Sequence, residues 1–194
     1  MDTPRFAWLP NTITVLRLLS LPFLVVFAWK GMHNAFAWLL LPALASDVVD
    51  GWLARRLGAE SAAGATLDSV ADILLVLVMV YAIWPLHPYV YQQHGWPIIS
   101  VILIWIVAHG ASLLRYGKLA SFHTRLIRAG IFAFSLFALV LFLYGFVPWM
   151  LYTAAAICAL GAVEHFVMLA LVAEWTPNLH GGISEALKRR RQAG

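Results

Sequence analysis

Charge is scarce in this chain. Asp, Glu, Lys and Arg make up 11% of its 194 residues, where a soluble domain carries about a quarter. Only nine residues are acidic. With 62% hydrophobic residues and a mean hydropathy of +0.83, that shortage excludes an ordinary soluble protein and leaves little room for a soluble domain. Cysteine is nearly missing too: the lone Cys158 excludes an intrachain disulfide. Neither an internal repeat nor a low-complexity linker breaks the chain. A cleavable signal peptide is not evident either. The first apolar run lacks a small-residue cleavage site and leads straight into the second, so it is expected to stay as a span.

Long apolar runs are what the chain does have. A helix needs about 20 mostly apolar residues to cross a bilayer. Six runs qualify, at about 11–29, 35–55, 65–84, 97–116, 128–146 and 148–175, followed by a basic tail at 176–194. The expected fold is all-α: a six-transmembrane-helix bundle, one domain over 1–194. Trp29, Trp38, Trp84, Tyr89, Trp149 and Trp175 suit interfacial belts. Arg5, Phe6, Trp8 and Leu9 resemble an interfacial segment before the first span.

Basic residues favour the cytoplasmic side. With the N-terminus inside, Arg5, Arg17, Arg55, Arg56, Arg115, Lys118, Arg125 and Arg128 fall at that face. So do Lys188, Arg189, Arg190 and Arg191 of the tail, and only Lys30 falls outside. Both termini are therefore expected in the cytoplasm. These basic residues are explained by topology, and no nucleic-acid partner is expected.

Four of the few acids crowd one stretch: Asp47, Asp50, Asp68 and Asp72. Ionisable groups at membrane depth are costly and functional by default. Asp47 and Asp50 precede Arg55 by eight and five residues, about 8–12 Å into the second span at the helical rise. Asp68 and Asp72 lie in the first turns of the third span, with 56–63 reversing the chain between them. All four share one depth on the cytoplasmic side. Asp47, Asp50, Gly51 and Ala54 stand on one helix face, as do Gly64, Asp68 and Asp72. Two antiparallel helices can thus aim four carboxylates into one polar cavity open to the cytoplasm. Carboxylates prefer hard cations such as magnesium, calcium and manganese, and four acids suit two ions. No His or Cys interrupts the stretch, which argues against zinc. The competing structural explanation is that the acids pair with Arg17, Arg55 or Arg56 to hold helices together.

The pattern Asp47-x2-Asp50-Gly51-x2-Ala54-Arg55-x8-Gly64-x3-Asp68-x3-Asp72 resembles the signature of the CDP-alcohol phosphotransferase family. Every fixed position of that signature is matched, and chain length and span number resemble the family too. The resemblance implies transfer of a substituted phosphate from a CDP-linked donor to an alcohol, with release of CMP. It implies two divalent cations, Mg2+ or Mn2+, held by Asp47, Asp50 and Asp68. Asp72 would be the base for the acceptor hydroxyl and would also touch a metal. Gly51, Ala54 and Gly64 would border the nucleotide, with Arg55 beside it. A homodimer is implied as well.

The first span opens Pro10-Asn11-Thr12-Ile13-Thr14-Val15-Leu16-Arg17. Asn11, Thr14 and Arg17 share a face. This resembles the opening of family members that use CDP-diacylglycerol, which makes the three residues candidates for donor binding. A helix cap plus an arginine that snorkels to the interface explains them equally well. Arg115, Lys118, Ser121, His123, Arg125 and Arg128 form the densest basic stretch outside the tail. They suit a phosphate-bearing acceptor or lipid headgroups, and ordinary topology explains them too. Glycerol 3-phosphate is the leading acceptor. Phosphatidylglycerol, giving cardiolipin, and unphosphorylated alcohols such as inositol or serine are the alternatives; the layout resembles phosphatidylglycerophosphate and cardiolipin synthases of the family. A divalent-cation transporter and an inactive scaffold are competing classes. Glu164 and His109 are expected to pair between the sixth and fourth spans.

Overall fold

The computed structural model describes residues 9–57, 62–116 and 125–171. It contains six helices in chain order: α1 Leu9–Trp29, α2 His33–Leu57, α3 Ala62–Leu86, α4 Pro88–Tyr116, α5 Arg125–Tyr144 and α6 Pro148–Leu171. No strand occurs among the described residues, so the all-α expectation holds. Among the described residues four segments are long and apolar enough to cross a membrane: Asn11–Trp29, Pro88–Arg115, Leu126–Tyr144 and Pro148–Leu171. The apolar part of α3 found there is shorter, Val70–Leu86. α2 carries Asp47, Asp50, Arg55 and Arg56 within its 25 residues.

Local sequence sets the helix ends. Pro88 and Pro148 open α4 and α6, where a missing N–H costs nothing. Gly31, at φ +68°, closes α1. Its N–H bonds the Ala28 carbonyl and the Met32 N–H bonds the Phe27 carbonyl at 2.8 Å, a Schellman cap. Gly145, at φ +110°, ends α5 in the same left-handed region. α4 is two helices that meet at His94 (φ −135°, ψ 25°), so the second starts close to the expected 97, with Pro97 in its first turn, where a missing N–H costs nothing. His94 Nδ1 lies 2.9 Å from the Tyr152 hydroxyl of α6.

The chain divides into two compact units, residues 1–93 with 138–145, and residues 94–137 with 146–194. In the first, α1 packs along both α2 and α3, while α2 and α3 meet each other far less. The buried stripe of α1 is Thr14, Arg17, Leu21, Leu24 and Ala28, at alternating spacings of three and four. α2 continues the same period with Phe36, Leu40, Ala43 and Asp50. α3 buries Ala71, Leu75, Val78, Met79, Ala82 and Ile83. One seam therefore runs through three helices, apolar for most of its length and charged at one end. Large apolar side chains such as Leu16, Leu19, Phe23, Trp29, Trp38 and Trp84 face outward, as a lipid-facing surface requires.

In the second unit α5 and α6 touch through small residues. A Cβ on Gly130 would lie 2.9 Å from Cys158 Sγ and 3.2 Å from Cys158 Cα. α4 and α6 are tied by the buried pair Ser112 and His165, Oγ to Nε2 at 2.9 Å. The expected partner of Glu164 was His109, whose side chain lies outside the described residues. Among the described residues the Glu164 Oε2 atom is buried without a hydrogen-bond partner.

Gly130→Ala should destabilise the protein by about 1–3 kcal/mol through overpacking. Gly110→Ala, whose new methyl would meet nothing within 4 Å, should be neutral or stabilise by up to about 1 kcal/mol. Thermal unfolding of both variants in detergent checks the contrast; equal melting temperatures would remove the close-packing account.

Candidate metal centre and active site

The charged end of the seam is organised around Arg17. Its position on the α1 stripe points it between α2 and α3, and its side chain is 0% exposed. Every part of the guanidinium is engaged. Nε donates to Ser46 Oγ at 3.1 Å. Nη1 donates to Asp72 at 2.7 Å, Asp47 at 3.2 Å and Asp68 at 3.4 Å. Nη2 donates to Asp50 Oδ2. Thr14, one turn earlier on the same face, donates to the same oxygen at 3.0 Å. The arginine does not snorkel to the interface. An inward Arg is tolerable because every donor it buries finds an oxygen.

All four aspartates of the motif thus meet one side chain, as their helical spacings predict. The acids of α2 and α3 converge, and α1, which lies along both helices, supplies a cation to them. One guanidinium cannot neutralise four carboxylates, so the cluster stays acidic. Asp50 Oδ1 is buried and has no hydrogen-bond partner. Asp47, Asp50 and Asp68 each offer an oxygen within 4.8 Å of the others. A buried, unpartnered carboxylate oxygen beside two more carboxylates fits a hard divalent cation bound through oxygen. The side chains of Asp47, Asp68 and Asp72 are 44%, 40% and 37% exposed, so the cluster is open on one side.

The remaining candidates fall into four groups. Gly51 follows Asp50 on α2 and Gly64 lies in the first turn of α3; both are half-buried beside the acids in sequence. Asn11 is exposed in the first turn of α1. Ala54, Arg55 and Arg125 lie on helices, but their side chains are outside the described residues, as are Lys118, Ser121 and His123 altogether. Arg115 and Arg128 are exposed and belong to the second unit. Ser46 was not anticipated. Its signal in the sequence is its place four residues before Asp50, one turn away on the same face.

Beside the acidic cluster, α1 and α2 form an apolar groove of about 400 Å³ lined by Leu16, Leu19, Ser20, Phe23, Phe27 and Leu39. Leu16 neighbours Arg17 in the chain, so the groove starts at the depth of the acids and follows α1 away from them.

Fold and site together define an α-helical membrane protein with an acidic, cation-competent centre on its first three helices. The family model for CDP-alcohol phosphatidyltransferase matches residues 7–173, and the chain belongs to that family. Among curated proteins it is similar to the CDP-diacylglycerol–glycerol-3-phosphate 3-phosphatidyltransferase of Pseudomonas fluorescens, 38% identical over 45% of this chain and 43% of the relative. The enzyme of that name from Salmonella choleraesuis is 31% identical over 55% of this chain and 52% of its own. The one from Cereibacter sphaeroides is 33% identical over 60% and 58%. The chain spans about half the length of these curated relatives. No solved structure gives a significant match.

Thr14→Val should cost about 1.5–3 kcal/mol, the worth of a hydrogen bond to a charged group. Thr14→Ser, which keeps the hydroxyl, should lose much less. Unfolding in detergent separates them, and a larger loss in Thr14→Ser than in Thr14→Val would mean that Thr14 contributes through the packing of its methyl group instead.

Proposed function

We propose that this protein transfers a phosphatidyl group from CDP-diacylglycerol to an alcohol, best glycerol 3-phosphate, with release of CMP. The observation that carries the reading is the convergence of Asp47, Asp50, Asp68 and Asp72, with Asp50 Oδ1 buried and unpartnered. Membership of the family supplies the reaction class. The apolar groove along α1 supports a donor with acyl chains rather than a soluble one. The names of the curated relatives and the basic stretch 115–128 support a phosphorylated acceptor. Phosphatidylglycerol, inositol and serine remain arms of the test.

In this reading Asp47, Asp50 and Asp68 hold two divalent cations, Mg2+ or Mn2+, with Asp72 at their edge. Bound there, the ions would neutralise the donor pyrophosphate and stabilise the leaving CMP. Asp72 accepts the proton of the acceptor hydroxyl. The hydroxyl oxygen forms a bond to the phosphorus that carries diacylglycerol. The bond from that phosphorus to the CMP oxygen breaks, and its electron pair leaves with CMP. Gly51, Ala54 and Gly64 give a flat nucleotide room against the backbone, with Arg55 beside it; Asn11 serves the donor from α1. Residues 115–128, with Lys118, Ser121, His123 and Arg125, serve the acceptor.

The same reading takes 1–194 as one six-span domain, with the termini and the acidic cavity facing the cytoplasm and a homodimer as the working form. A divalent-cation transporter is disfavoured by the seam itself. Along α3 beyond Asp72 the buried residues are Leu75, Val78, Met79, Ala82 and Ile83, which offer an ion no ligands.

Purified protein with CDP-diacylglycerol, Mg2+ or Mn2+ and a panel of alcohols should release CMP, fastest with glycerol 3-phosphate. A folded protein that releases no CMP with any acceptor would sink the enzyme reading. Asp72→Asn should lower kcat by about 10²-fold or more while nucleotide binding survives. Robust turnover in that variant would remove Asp72 from the chemistry.

A further inference from the structure

Arg17 is placed where a metal's positive charge is wanted. Its Nη1 donates to Asp47, Asp68 and Asp72 at 3.2, 3.4 and 2.7 Å, and its Nη2 to Asp50. Three of these four residues are the ones whose oxygens converge within 4.8 Å. Nη1 has two hydrogens for three carboxylates, so these bonds are shared and the longest is weak. A guanidinium cannot shed its charge, so it cannot withdraw from the site by losing a proton. Lone pairs given to Arg17 are not free for a cation, and a divalent ion on the same carboxylates repels it.

Two of its contacts differ from the rest. Ser46 Oγ is neutral, and Asp50 Oδ2 keeps Thr14 as a second donor whether Arg17 stays or leaves. Asp47, Asp68 and Asp72 are the more exposed acids, so they are where an incoming ion would meet the arginine first.

We propose that Arg17 is the built-in counter-cation of the aspartate centre. It neutralises the carboxylates while no metal is bound, and divalent-cation binding drives its guanidinium off Asp47, Asp68 and Asp72. The inference rests on the metal reading of the same site. It makes two linked statements. The metal-free protein is held together by Arg17, and the affinity for metal is weakened by the work of displacing it, since a ligand shifts a conformation only by its differential affinity.

The test compares the whole protein with Arg17→Gln and Arg17→Lys in detergent. It reads Mn2+ binding by electron paramagnetic resonance and thermal unfolding with EDTA or Mn2+. Arg17→Gln should melt below wild type in EDTA, gain more than wild type from Mn2+, and bind Mn2+ about tenfold tighter, a common size for coupling between two ligands. Arg17→Lys should fall between the two. Equal or weaker Mn2+ binding by Arg17→Gln overturns the counter-cation role and leaves the metal reading standing. Wild type that binds no Mn2+ overturns both. The wild-type protein gives a second readout, independent of the variants. Phenylglyoxal should spare Arg17 in EDTA and modify it in Mn2+, as read by peptide mass spectrometry; protection in both conditions overturns the displacement.

Discussion

The ion cluster of Arg17 with Asp47, Asp50, Asp68 and Asp72 sits on the line along which the first three helices pack. Its partners come from α1, α2 and α3, and the pair that is buried on both sides, Arg17 with Asp50, ties α1 to α2: neither can shift or rotate without leaving a buried charge unpaired. Such a mismatch is heavily penalised in a low-dielectric setting. The apolar part of the seam, from Leu21 and Leu24 to Met79 and Ile83, tolerates exchange of one hydrophobic residue for another. The charged end does not. It sets the register, and the apolar remainder fills in behind it.

This division explains how a membrane protein can keep so many acids without coming apart. α1 lies against both acidic helices. Oxygens of Asp47, Asp50 and Asp68 still lie within 4.8 Å of one another. α1 brings a guanidinium and a hydroxyl to that convergence, while Asp50 Oδ1 has no hydrogen-bond partner. The resulting site is fixed at its back by protein and open at its front, where Asp47, Asp68 and Asp72 reach solvent.

Much of this was legible in the sequence. Helices with strong hydrophobic runs and the faces of the four aspartates follow from spacing, because a charge in an apolar chain is a rare and specific signal. The direction of Arg17 was not legible. A long side chain near a helix end can either reach the interface or turn inward, and the choice depends on how closely two other helices approach. The short helical piece from Pro88 to the break at His94 was missed, because Pro97 reads as a beginning and does lie in the first turn of the helix after that break. The link between α4 and α6 was sought at His109 and Glu164. The bond found joins Ser112 and His165, polar groups whose partners cannot be assigned without the packing.

The four clustered aspartates and Arg17 lie within the first 72 residues, on three consecutive helices. Membrane proteins are made from the N-terminus, and helices that enter in that order assemble the centre in stages. α1 and α2 alone bring together one guanidinium and two carboxylates, together with Thr14 and Ser46. α3 then adds two further negative charges to a site whose cation is already shared. Arrival of the third helix is therefore the step that gives the cluster its surplus of negative charge.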